Sequence, residues 1–239
     1  MTTMTPTRPH TPSRTDRQPD VDWHQEVDRI TRHTASLPTG PTTARLFVDL
    51  TSPWAYLAHL RLADSADDIT WTAVQRLTAI PRTGLRSGGR ERDELQRQLE
   101  AARYMAGADE ELPAIVPSVL PHPRTVAAAY AEAVDLGCGA AVRETLLEAY
   151  WLEGKDIGDP EVLRRILPPV VVEEGALCTG DPRREFGYLV SPAREPLTDS
   201  AYHLMARWQQ EWEDVGRPGP LALVDADGSI TTGPAVLLP

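Results

Sequence analysis

Cysteine and lysine are scarce in this chain of 239 residues, and each shortage excludes something. Its two cysteines, Cys138 and Cys178, lie far apart and fit neither a Cys-x-x-Cys nor a zinc-finger spacing. The sequence therefore predicts no disulfide framework, and we expect both thiols to be reduced, with Cys138 a small buried residue near a helix end. Lys155 is the only lysine. The dominance of arginine is typical of GC-rich coding and suggests an actinobacterial source.

Long apolar runs are also missing, since no stretch approaches the roughly 18 apolar residues that a membrane span needs. Residues 1–22 are rich in Thr, Pro, Arg and Asp and have no apolar segment, which predicts a disordered tail rather than a signal peptide. A cytoplasmic protein without a membrane partner is expected. The formal charge of −11 argues against a nucleic-acid partner, because a surface that follows phosphates needs clustered positive charge.

Several signatures of common enzyme classes are absent as well. The chain has no P-loop, no Rossmann fingerprint, no nucleophile elbow and no metal-binding pair of histidines. The segment 225–228 reads Asp-Ala-Asp-Gly, but no later glutamate completes a calcium-binding loop, so it predicts a tight turn. We therefore expect no metal site.

The order of the predicted elements favours an α/β fold with one core. Trp23, Val27 and Ile30 recur at helical spacing, so residues 23–44 are interpreted as an N-terminal helix and linker. The core domain is assigned to residues 45–239. It opens with a strand at 45–50, a helix at 53–66 and a strand at 69–76, the pattern of a right-handed βαβ unit with two parallel strands.

The middle of the chain predicts helices, and its end predicts a hairpin. Helices are expected at about 125–137 and 140–153, and another begins at Asp159-Pro160, a capping residue followed by proline. A hairpin is expected from 220–224 and 229–232. Two apolar stripes at helical spacing predict core faces: Leu95, Leu99, Ala102 and Met105 in one helix, and Ala201, Met205, Trp208 and Trp212 in a late one.

The junction between the first strand and the first helix is the most informative segment. Ser52 is a favourable N-cap, and Pro53 suits the first helical position because it has no N–H to leave unpaired. A group bound here would meet free backbone N–H donors and the positive end of a helix dipole. The junction therefore reads either as a plain helix start or as a site for an anion such as a thiolate.

This segment carries a resemblance to a known family. Ser52-Pro53-Trp54-Ala55-Tyr56 resembles the Cys-Pro-Trp-Cys-Tyr motif of DsbA-family thioredoxin-like oxidoreductases with both sulfurs removed. Ser52 stands at the attacking position and Ala55 at the resolving one. The segment is also similar to the Ser-Pro-Tyr-Ser-Tyr-Leu motif of 2-hydroxychromene-2-carboxylate isomerases and kappa-class glutathione transferases, whose serine holds the sulfur of glutathione.

Two further segments support the resemblance. Residues 153–163 look like the signature that precedes a helix of the family's insertion. Residues 216–220 stand where the family has Gly-Val-Pro-Thr with a cis-proline facing the motif helix. Counting back from the hairpin turn favours Pro220 as that proline, with Pro218 as the alternative. The resemblance implies that the N–H and C=O of Gly219 would then bind the backbone of a thiol peptide.

The chain also departs from the family pattern. Pro123-Arg124-Thr125 replaces Pro-Asn-Thr, so an asparagine that orients ligands in some members is missing, and Arg124 is a candidate to bind an anionic group instead. The sequence stops at Pro239, where the family continues into a final helix. We expect either the helix at 23–32 or a second subunit to cover the face that such a helix would occupy.

The resemblance implies a thioredoxin-like α/β fold of the DsbA type, with a helical subdomain inserted at about 91–196 and without the final helix. The leading hypothesis is an enzyme that binds glutathione or mycothiol and acts on an electrophilic small molecule by isomerisation or transfer. Self-association as a homodimer is expected with it. In this hypothesis Ser52 stabilises the sulfur, and Trp54 and Tyr56 shape an apolar wall. Alternatives are an inactive DsbA-like binding or accessory protein, or an oxidoreductase using Cys138 or Cys178.

Overall fold

Four strands form one mixed sheet in the computed structural model, which describes residues 43–62, 68–86, 88–171 and 198–238. The strand order is β2-β1-β3-β4. β1 pairs parallel with β2 and antiparallel with β3, and β3 pairs antiparallel with β4. This topology confirms the predicted βαβ unit and the terminal hairpin. The strand bounds are Ala44–Val48 for β1, Ile69–Ala73 for β2, Leu221–Val224 for β3 and Ile230–Thr232 for β4.

The helices fall into one that follows β1, a group inserted after β2, and one that precedes β3. Helix α1 spans Pro53–Leu62 and α7 spans Asp199–Asp214. The inserted helices are α2 at Arg90–Met105, α3 at Pro123–Asp135, α4 at Gly139–Trp151, α5 at Pro160–Ile166 and α6 at Pro168–Val171. The arrangement confirms an α/β fold with a helical insertion.

The core lies on both faces of the sheet because successive side chains of a strand point in opposite directions. In β1, Leu46 and Val48 join the main core cluster, whereas Phe47 packs in a second cluster with Trp212 of α7. The predicted apolar stripe of α7 is buried, as are Leu95, Leu99 and Ala102 of α2, while Met105 is half-buried against the core. Both stripes are therefore core faces, as predicted.

The far end of α1 is fixed by Arg61. Its guanidinium donates hydrogen bonds to both carboxylate oxygens of Glu110, at 2.6 and 2.8 Å, and to the carbonyl oxygens of Met105 and Leu237. Leu237 lies in a 3-10 helix at Gly233–Leu237, which follows β4. The sequence analysis predicted that the family's final helix is missing. Among the described residues, this short 3-10 helix is the element that follows the hairpin.

Some predictions concern residues outside the described ones: the tail, the helix at 23–32, Cys178, and the insertion beyond residue 171. Among the described helices, none has the length and apolarity to cross a membrane.

Candidate functional site

The site is built around the start of α1, where the chain leaves the sheet. The Oγ of Ser52 accepts a hydrogen bond from the backbone N–H of Ala55 at 3.3 Å, and the carbonyl oxygen of Ser52 is 3.1 Å from the same nitrogen. Pro53 is the first helical residue. The predicted N-cap and N1 proline are therefore present, and Ser52 satisfies one of the donors that a helix start leaves unpaired.

The first turn of α1 is buried. Ser52 has an exposed fraction of 0%, and Pro53, Trp54, Ala55 and Tyr56 are buried as well. Burial raises the pKa of Tyr56, and the negative charges of acidic side chains near it raise it further. The motif is thus an interior feature in which Trp54 and Tyr56 pack into the core.

Asp49, a residue that sequence reasoning missed, organises the turn between β1 and α1. It is 1% exposed. Its Oδ1 accepts hydrogen bonds from the N–H of Thr51 at 3.0 Å and from the Thr51 hydroxyl at 2.6 Å. Its backbone carbonyl accepts the N–H of Ser52 at 2.9 Å. One buried aspartate therefore holds the two residues that lead into the helix.

The second carboxylate oxygen of Asp49 faces a cation. Its Oδ2 lies 3.4 Å from the Nε of Arg76, which follows β2 and is 20% exposed along its side chain. Neither atom has a hydrogen-bond partner among the described residues, so their contact is an ion pair. An aspartate at the end of a buried strand, three positions before the capping serine, was the sequence signal that could have identified it.

Gly219 and Pro220 lie beside this junction, as the resemblance implied. Val48 is paired with Leu221 across β1 and β3, and the N–H of Asp49 donates to the carbonyl oxygen of Pro220 at 2.9 Å. The prediction of a cis-proline is wrong for both candidates, since no described peptide bond is cis. The chain instead reverses through positive φ angles at Gly216, Arg217 and Gly219.

Arg124 lies in the first turn of α3 and lines a different cavity. This cleft of about 330 Å³ is bordered by Gln75 and Thr78 after β2 and by residues of α7 that include Gln209 and Glu213. Its lining contains no residue of the β1–α1 junction. The structure therefore brings Pro220 to Ser52's end of the sheet but does not place Arg124 in the same cavity as the motif.

Cys138 is half-buried and His59 is a residue of α1, and the surroundings of each shift its pKa. Cys138 stands at the N-cap of α4, where its thiol donates to the carbonyl oxygen of Ala133 at 3.5 Å. Burial raises the pKa of this thiol, which disfavours the thiolate that nucleophilic chemistry requires. Burial, aided by the positive charge of Arg143, lowers the pKa of His59.

The described residues contain no cluster of His, Cys, Asp and Glu that could hold a metal ion. The segment 225–228 forms the predicted turn, since the N–H of Gly228 donates to the carbonyl oxygen of Asp225 and Asp227 accepts from the N–H of Ser229. The carboxylate of Asp227 is thus used within the hairpin.

Known proteins of similar structure exist, although no protein-family model and no curated protein sequence matches the chain. The cytosolic disulfide reductase DsbM from Pseudomonas aeruginosa, solved with GSH, matches with a TM-score of 0.55 and 16% identity over 80% of this chain and 89% of that chain. A probable DsbA oxidoreductase from Streptomyces coelicolor matches with a TM-score of 0.54 and 13% identity, over 80% and 83% of the two chains.

At such low sequence identity, these structural similarities show the fold alone. Their coverage extends over most of both partners and so includes the helical insertion as well as the sheet. Together with the strand order β2-β1-β3-β4, they show that this chain has the thioredoxin-like fold of DsbA-like proteins.

Proposed function

We propose that this protein binds a low-molecular-weight thiol, glutathione or mycothiol, as a thiolate at the N-terminus of α1. The observation that carries the proposal is the Ser52-Pro53 helix start that follows β1. Pro220, the residue before β3, is hydrogen-bonded to Asp49 in the same turn. The structure of DsbM with GSH supports it, because that protein shares the fold. Glutathione is thus known in a structure of the same architecture.

The chemistry of the junction suits a sulfur anion. The helix dipole and the N–H groups of the first turn favour negative charge at this point. The Ser52 oxygen accepts from Ala55, while its hydroxyl proton has no acceptor among the described residues. That proton is available for a hydrogen bond to a thiolate, and hydrogen bonds to charged groups are the stronger ones.

The motif does not supply disulfide exchange, because Ser52 and Ala55 occupy both positions where a redox motif has sulfur. The thiolate of the bound cofactor would instead be the nucleophile. It would add to an electrophilic carbon of a small molecule. The anionic adduct would then either expel the thiolate after isomerisation, or take up a proton from water and remain attached as the thioether product of a transfer. Trp54 and Tyr56 would form the apolar wall, and the backbone of Gly219 would pair with the thiol's own backbone.

A second candidate function is a DsbA-like binding or accessory protein without chemistry. The complete burial of Ser52 favours it, because the hydroxyl already caps its own helix and a thiol would have to reach an interior position. The two functions make opposite predictions about thiol binding.

Calorimetric titration of the full chain with glutathione and with mycothiol tests the proposal. We expect saturable binding of one thiol and about tenfold weaker binding by Ser52→Ala, which loses one hydrogen bond to a charged sulfur. Ser200→Ala, which removes a hydroxyl from the exposed start of α7, is the matched control and should bind like the parent. If neither thiol binds, the proposal is wrong and the accessory function is favoured.

A further inference from the structure

We infer that Asp49 and Arg76 are a positioning pair that sets how strongly the N-terminus of α1 attracts a thiolate. The inference deepens the proposed function and rests on it for its ligand. Asp49 fixes the geometry of the helix entry, and Arg76 balances the charge of Asp49. Neither residue is required to touch the ligand, so both act through the α1 N-terminus.

The positioning part follows from the hydrogen bonds of Asp49. This residue connects its own turn with the segment that leads into β3. Its side chain accepts from Thr51, its carbonyl oxygen accepts from Ser52, and its N–H donates to the carbonyl oxygen of Pro220, the residue before β3. The path from β1 into α1 is therefore fixed by one residue. A substitution that removes the carboxylate of Asp49 would release Thr51 and let the first N–H groups of α1 change direction.

The electrostatic part follows from burial. A carboxylate that is 1% exposed and three residues before Ser52 places a negative charge near the position proposed for a thiolate. Two like charges at close range in a medium of low dielectric repel each other strongly. Arg76, with its Nε 3.4 Å from Oδ2, supplies the opposite charge. The pair then has no net charge, and the dipole of α1 remains attractive to an anion.

The small cavity beside Asp49 has no other charged residue in its lining. Its wall consists of Leu50 and Thr51 from the same turn, Ala73 and Val74 at the end of β2, and Pro123, Val126 and Ala127 from α3.

From α4, Tyr150 contributes a fully buried hydroxyl without a hydrogen-bond partner among the described residues. Its own burial comes first among the causes that raise the pKa of Tyr150, followed by the negative charge of Asp49, so Tyr150 stays neutral near neutral pH. Arg76 is thus the cation in ion-pair contact with this carboxylate.

The test uses a thiol introduced by Ser52→Cys as a probe, so that no bound ligand is needed. Its pKa is measured from the ultraviolet absorbance of the thiolate as a function of pH, with the parent chain subtracted to remove the native cysteines. In this background we expect Arg76→Gln to raise the thiol pKa by about 1 pH unit and Asp49→Asn to lower it by a similar amount. The double variant should lie close to the Ser52→Cys chain, because both charges are then gone.

The opposite signs distinguish charge from structure. A purely structural role would shift the pKa in the same direction for both variants, or in neither, and that result would overturn the inference. Arg97→Gln is the control, since Arg97 forms a surface pair with Glu94. Thermal unfolding confirms that each variant is folded. Because the probe is part of the chain, the pair can be upheld or rejected even if glutathione and mycothiol fail to bind.

Discussion

Two helices of this protein begin with the same signal, a capping side chain followed by proline. Ser52-Pro53 begins α1, and Asp159-Pro160 begins α5. The serine Oγ accepts the N–H of Ala55 at 3.3 Å, and the Asp159 carboxylate accepts the N–H of Glu161 at 3.0 Å. The local capping is comparable, yet Ser52 is completely buried and Asp159 is partly exposed.

The two helix starts differ in what holds them. The start of α1 is fixed by the buried side chain of Asp49 at the end of a central strand. The start of α5 is fixed by a close backbone approach, because a Cβ on Gly158 would lie 2.7 Å from the backbone nitrogen of His122. Around α5 the charges form an exposed pair, Glu161 with Arg164. The same capping signal thus marks a candidate site only where the sheet brings other chain segments to it.

The largest loss of stability is expected from a substitution at the start of α1. Asp49→Ala should lower the free energy of unfolding by about 3 kcal/mol, because it leaves the buried donors of Thr51 and the cation of Arg76 without their partner. Chemical denaturation at neutral pH measures the loss. Asp49→Asn keeps an oxygen acceptor for Thr51 and should lose clearly less. Equal losses for the two variants would mean that the charge, rather than the hydrogen bonds, holds this helix start.

A smaller effect is expected on the α5 side. Gly158→Ala should cost about 2 kcal/mol, since the added methyl group meets backbone and the helix entry must shift to relieve the overlap. The measurement is the same denaturation experiment. Gly88→Ala is the control, because a Cβ there meets nothing within 4 Å. A neutral Gly158→Ala would show that the entry to α5 adapts freely and that close backbone packing does not fix it.

Local sequence signals predicted most of the fold. The order of β1, α1 and β2 followed from apolar runs and a cap, and the apolar stripes of α2 and α7 followed from helical spacing, since both patterns depend on neighbours a few positions apart. Strand ends were less accurate: residues 74–76 were predicted in β2, which ends at Ala73. The N–H of Val74 still donates to the carbonyl oxygen of Val48, so one backbone hydrogen bond between the two segments continues beyond the assigned end of β2.

The missed parts of the site depend on contacts between distant segments. Arg76 meets Asp49 only because β1 and β2 pair in a particular register, and no local pattern encodes that meeting. The bonds before Pro218 and Pro220 are trans, and the glycine-rich turn before β3 reverses through positive φ angles, a choice that the local sequence did not reveal. The motif also could not predict the burial of Ser52, because the same residues are compatible with an exposed and with an interior helix start.

The smallest effect separates the two caps. Asp159→Ala should lower the free energy of unfolding by about 1 kcal/mol, the usual value for a lost N-cap. Ser52→Ala should cost less than about 1 kcal/mol despite its burial, because the N–H of Ala55 keeps the carbonyl oxygen of Ser52 as an acceptor at 3.1 Å. Denaturation of the two variants beside the parent measures both. A loss well above 1 kcal/mol for Ser52→Ala would make the hydroxyl structural, and weaker thiol binding by that variant would then no longer indicate a contact with sulfur.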